Sequence, residues 1–144
     1  MFLKSIIFLH IICATIWTGG HLILAITVLP KALRFNDFRI IETFESKFEK
    51  IGLPALLILV LTGIYITYQY APDIFLFNLE DHYTKHILLK FTFLFFTIGL
   101  ALHAKFVLIP NRDLKPLAYH IVLVTILSVL FVFVGFSARS GGII

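Results

Sequence analysis

Four long stretches of the chain are apolar almost without interruption, and short polar segments separate them. They run from about Ser5 to Leu29, Ile51 to Tyr70, Tyr83 to Ile109 and Leu117 to Ser137. Each is long enough for the roughly 20 residues a helix needs to cross a bilayer. Pro30, Pro110 and Pro116 fall just outside the span ends, where a missing backbone N–H costs little. The first run is too long for a secretory signal, and no small-residue cleavage site follows it. Between the first two spans the pattern changes. From Asn36 to Lys50, the apolar residues Phe38, Ile41, Phe44, Phe48 and then Ile51 recur at steps of three or four. Arg39, Glu42, Glu45, Lys47 and Glu49 fill much of the remainder. This predicts an amphipathic helix on the inner membrane surface that leads into the second span. Pro54 is expected to bend that span, residues 71–81 form an outer loop, and Gly141-Gly142 a flexible end. No internal repeat is visible. The pattern predicts one all-α membrane domain, a four-transmembrane-helix bundle with an interfacial amphipathic helix before the second span.

Composition agrees. Hydrophobic residues make up 60% of the 144-residue chain and charged residues 14%, against roughly 45–50% and about 25% in soluble domains. These figures argue against a soluble enzyme and exclude a disordered chain. The single cysteine, Cys13, rules out an intramolecular disulfide framework and any four-cysteine metal site. The net charge of +4 reflects sidedness rather than nucleic-acid binding. Lys31, Arg34, Arg39, Lys47, Lys50, Lys105, Arg112 and Lys115 fall on one side, and only Lys4, Lys85 and Arg139 on the other. The basic side is expected to face inward. That places both termini outside, in the inner (cytoplasmic) membrane. Tyr65, Tyr68, Tyr70 and Tyr83 then mark the outer interface.

Histidine is the chemistry left over. His10, His21, His86, His103 and His120 lie within or at the edge of the spans, and His82 sits just outside. Ionisable residues at membrane depth are costly and usually functional, although any one histidine can simply donate to a neighbouring carbonyl. His10 and His21 are 11 residues apart, about 1100° of turn and about 16 Å of rise. They share a face of the first helix at two depths. Depth groups His10 with His86 near the outside, where His82 is a further candidate; it groups His21 with His103 and His120 further in. His86 and His103 differ by 17 residues, about 260° beyond whole turns, so a straight third span aims them at different neighbours. Lys90 lies one turn from His86 on the same face. It either snorkels to the outer interface or pairs with an anionic group. His82 and His86 also have the i, i+4 spacing of a metal site at the outer mouth.

Neutral imidazole suits haem iron, zinc or copper(II). With Met1 and Cys13 the only sulfur residues, a sulfur-lined copper(I) path is absent. A glycine in every span leaves room for a flat macrocycle, or equally for close helix packing. These residues support a haem b-binding redox protein holding one or two haems. Their ligands would be His10 with His86, and His21 with His103 or His120. A copper or other divalent-metal transporter using the same histidines is the alternative, and a cofactor-free assembly subunit is a third reading. No nucleophile–base pair and no phosphate loop appears.

The stretch Leu9-His10 through Trp17-Thr18-Gly19-Gly20 to Val28-Leu29-Pro30 resembles the first span of CopD-like membrane proteins and of the related HemJ-type protoporphyrinogen oxidases. Phe44-Glu45-x-x-Phe48-x-x-Ile51-x-x-Pro54 with Gly63 resembles the start of their second span, and His86 to His103 with Lys90 their third. The HemJ resemblance implies haem b, porphyrinogen oxidation and essential roles for His10 and for Lys90 as a catalytic residue. Here Lys90 follows His86-Ile-Leu-Leu rather than the short histidine–alanine–lysine context of that family, and His21 is not part of its pattern. The CopD resemblance implies copper uptake across the inner membrane. Expected partners are membrane lipid and a quinone, porphyrinogen or redox protein, with a homodimer left open.

Overall fold

A computed structural model describes residues 1–72, 74 and 82–140, the side chain of His82 excepted. Most of the outer loop, the His82 imidazole and the Gly141-Gly142 tail therefore lie outside the described residues. Helix α1 (Phe2–Ile23) runs through a π-turn (Leu24–Val28) into α2 (Leu29–Phe35). Helix α3 spans Phe38–Tyr70. Helix α4 (His82–His103) runs through a second π-turn (Ala104–Leu108) into α5 (Ile109–Asn111), and α6 spans Leu114–Arg139. Four helical units are long and apolar enough to cross a membrane. Among the described residues there is no strand, as expected where lipid cannot satisfy an open sheet edge. The chain is a multi-pass membrane protein.

The prolines behave differently from expectation. Pro30 and Pro110 do not stop their helices. In each case the turn before the proline widens: Leu29 N–H bonds to the Leu24 carbonyl, and Ile109 N–H to the Ala104 carbonyl, five residues back. The wider turn accommodates a residue that has no N–H and whose ring would collide with an α-helical carbonyl. Pro54 sits inside an unbroken α3, and the amphipathic segment is the first part of that same helix. At 33 residues α3 is about 50 Å long, well beyond a hydrocarbon core of about 30 Å. Its charged first turns therefore extend past the apolar layer.

A repeat that the sequence hides appears in the backbone. Asn36 (φ 48°) and Arg112 (φ 54°) both take the left-handed conformation that ends a helix. Asn36 and Asp37 donate to the Leu33 and Ala32 carbonyls, and Arg112 and Asp113 donate to those of Ile109 and Leu108. An aspartate starts the next helix each time, and Asp37 accepts from Arg39 N at 3.0 Å. Helix, π-turn, proline, left-handed residue and aspartate thus occur twice. His10 and Lys90 take equivalent places, each fourteen residues ahead of its π-turn. The side chains differ at most matched positions, which is why the sequence shows no obvious repeat.

The two hairpins, α1–α3 and α4–α6, meet mainly through α1 and α6. Their turns pack together at the basic end: Leu29, Ala32, Phe38 and Ile41 from the first join Leu108, Leu117 and Ile121 from the second. Ion pairs Glu42–Arg112 and Glu49–Lys105 tie α3 to the second hairpin on the basic side. Phenylalanine, leucine and isoleucine side chains cover the outside, as a lipid-facing surface requires.

Candidate metal centre

His10 projects from α1 towards α3. Its Nδ1 is 2.8 Å from the Thr62 hydroxyl, and its Cε1 would lie 3.3 Å from a Cβ placed on Gly63. The Thr62 hydroxyl already has carbonyls to receive its one proton, at Ile58 (2.7 Å) and Leu59 (3.1 Å). It therefore accepts from His10, which carries its proton on Nδ1 and leaves the Nε2 lone pair open.

His21 faces α3 as well, so the shared face expected from the spacing of 11 holds. Its Nδ1 donates to the Trp17 carbonyl at 2.9 Å, and its ring packs against Trp17 (4.4 Å between centroids) and Phe48 (5.7 Å). Phe48 fits because Gly20 and Gly52 have no side chain where its ring lies. The Thr125 hydroxyl of α6 shares its one proton between the Ile121 carbonyl at 2.7 Å and the His21 carbonyl at 3.1 Å, and Thr18 donates to the Ser128 carbonyl at 3.3 Å. These bonds fix α1 on α6 at the level of His21.

The second hairpin holds the other histidines. His86 is fully buried, and its Nε2 lies 3.2 Å from the Ser137 hydroxyl of α6. Towards the basic end His103 Nδ1 is 2.9 Å from His120 Nε2, with the ring planes 28° apart. His120 Nδ1 donates to the Pro116 carbonyl at 3.0 Å. His86 and His103 thus both reach α6, contrary to the expectation from their spacing. His103 sits at the edge of the interface, where His120 meets it. Within the outer and inner groups drawn from depth, the contacts go to different partners. His86 contacts α6 whereas His10 contacts α3, and His103 pairs with His120 while His21 packs on aromatics.

Lys90 is half-buried, and its Nζ would be 3.1 Å from a Cβ on Gly135. Among the described residues no carboxylate pairs with it. Arg139 and His10 are within electrostatic range. Two apolar clefts of about 380 and 340 Å³ open on the bundle, one beside Thr18 and Phe133 and one beside Thr92 and Leu123, and no histidine lines either. No group of three or more metal-ligating side chains forms among the described residues.

The sequence reading missed the hydroxyls. Thr62, Thr125 and Ser137 are buried and determine which way each histidine-bearing helix faces. For Thr62 and Thr125 the signal was a hydroxyl in the middle of an apolar span, a polar group that must find a partner at membrane depth; Ser137, at the end of its span, gave none.

A family model described as copper resistance protein D matches residues 42–138. The chain belongs to the copper resistance protein D (CopD) family. The match begins in the amphipathic part of α3 and runs through α6, so it includes His86, Lys90, His103 and His120 and leaves α1, with His10 and His21, outside. It supports the CopD resemblance and gives none to the HemJ type, to haem b or to an oxidase. No curated protein and no solved structure shows detectable similarity.

Proposed function

We propose that this CopD-family chain handles copper within the membrane, passing it across the bilayer through histidine sites in the two hairpins. Three imidazoles carry this reading. His10, His21 and His120 each give their Nδ1 proton to a protein acceptor and keep Nε2 as a lone-pair donor. Metal-binding histidines use the same arrangement, because the second bond fixes tautomer and ring direction. Copper is the cargo here, not a resident cofactor. His10 serves the outer level and His21 the middle. In this reading the basic ends face inward, so the protein sits in the inner membrane with both termini outside.

Copper accumulation by cells making wild-type protein, compared with His10→Gln and His21→Gln at equal expression, tests the proposal. Both variants are expected to lose most of the protein-dependent copper. Equal accumulation in all three overturns it. The absorption spectrum of the purified protein is a second check: a Soret band with haem in stoichiometric amount would restore the haem b reading.

A further inference from the structure

Resting on the copper reading, we propose that His103 and His120 form a two-coordinate site for a monovalent copper ion, copper(I), at the inner end of the bundle. The Pro116 carbonyl can only accept, so His120 Nδ1 carries a proton and its Nε2 presents a lone pair. The His103 Nδ1–H therefore donates to it across 2.9 Å. The two nitrogens lie 2.9 Å apart between rings whose centroids are 4.9 Å apart and whose planes are inclined at 28°, and turning the His103 ring lines them up for a linear centre. Metal–nitrogen bonds of about 2 Å need the nitrogens about 4 Å apart in a line, so the rings must separate by about 1 Å. His103 is exposed and can move outward to do so. Its proton passes from Nδ1 to its own Nε2, both imidazoles stay neutral, and no electron is transferred.

Coordination number selects the ion. Zinc and copper(II) are held by about four ligands, and no third histidine, cysteine or carboxylate joins this pair among the described residues. Two opposed imidazoles suit a univalent ion that accepts two ligands. The location suits release. His103 directly precedes the second π-turn, a feature that often marks functional positions. Two residues on, Lys105 pairs with Glu49 on the basic side.

The test is an anaerobic titration of the detergent-purified full chain with copper(I) against a coloured copper(I) chelator. It is run on wild type, His103→Gln, His120→Gln and His10→Gln, with zinc titrated in parallel. Glutamine keeps a hydrogen bond across the pair, and an unchanged gel-filtration profile shows that each variant is folded. His103→Gln and His120→Gln are each expected to bind one copper(I) fewer than wild type, with no change in zinc. X-ray absorption of the ion they lose is expected to show two nitrogen neighbours. Wild-type stoichiometry in both variants, with loss in His10→Gln alone, overturns the site and leaves the copper reading standing. A wild-type chain that binds no copper(I) overturns the site, and absence of protein-dependent copper accumulation overturns the reading beneath it.

Discussion

Thr62→Val asks whether the Nδ1 bond of His10 matters for metal binding. Valine keeps the shape of threonine and removes the acceptor that lies 2.8 Å from Nδ1. Thr62 is 7% exposed, so water does not readily replace the hydroxyl. A buried donor left without its acceptor costs about 1–3 kcal/mol. Part of that is recovered if the ring turns or the proton moves to Nε2, and either change takes the lone pair away from the metal. Loss of such supporting bonds typically weakens metal affinity about 10–100-fold, or roughly 1.4–2.8 kcal/mol. The first figure is the expected loss of stability and the second the expected loss of affinity. The assay is copper affinity by chelator competition on purified protein, with thermal unfolding in detergent alongside. Thr62→Ser keeps the oxygen and is expected to stay within about threefold of wild type, about half of the 1.4 kcal/mol that a decade represents. Wild-type affinity in Thr62→Val, or equal loss in both variants, would refute the argument.

Gly20→Ala would place a Cβ within the Phe48 ring, and overpacking of this kind costs about 1–3 kcal/mol; Gly19→Ala, with nothing within 4 Å, is expected to be neutral or stabilising in the same thermal assay. Asn36→Ala forces a Cβ-bearing residue without a helpful side chain to hold φ 48°. It should lose about 1 kcal/mol in thermal stability, while Asn36→Gly should not. Glu49→Gln breaks an ion pair whose side chains are 57% and 48% exposed, so a stability change above about 1 kcal/mol would contradict its surface character. A phosphatase active only outside the cytoplasm, fused after Arg139, is expected to be active, and an inactive fusion of full length would reverse the assigned orientation.

The sequence by itself determined the four spans, the amphipathic segment before the second and the basic side. These are local properties: hydropathy along some 20 residues, a period of 3.6, and charge beside a helix end. It also placed His10 and His21 on one face, because helical geometry alone relates two residues of the same helix. Tertiary structure decided what each of those faces meets. Thr62 is 52 residues from His10, and Ser137 is 51 from His86, and no local pattern relates such positions. In lipid the apolar surface of a helix does not choose its neighbour, since the tails are as apolar as leucine. The choice falls to small residues and hydrogen bonds: Gly20 and Gly52 around Phe48, Thr62 for His10, Thr125 for the His21 carbonyl. The prolines show the same division. Sequence marks Pro30 and Pro110 as breaks in the bonding pattern, but backbone geometry settles whether the chain stops or widens by one residue and continues. Here it widens, because a five-residue bond satisfies the amide ahead of each proline and relieves its ring.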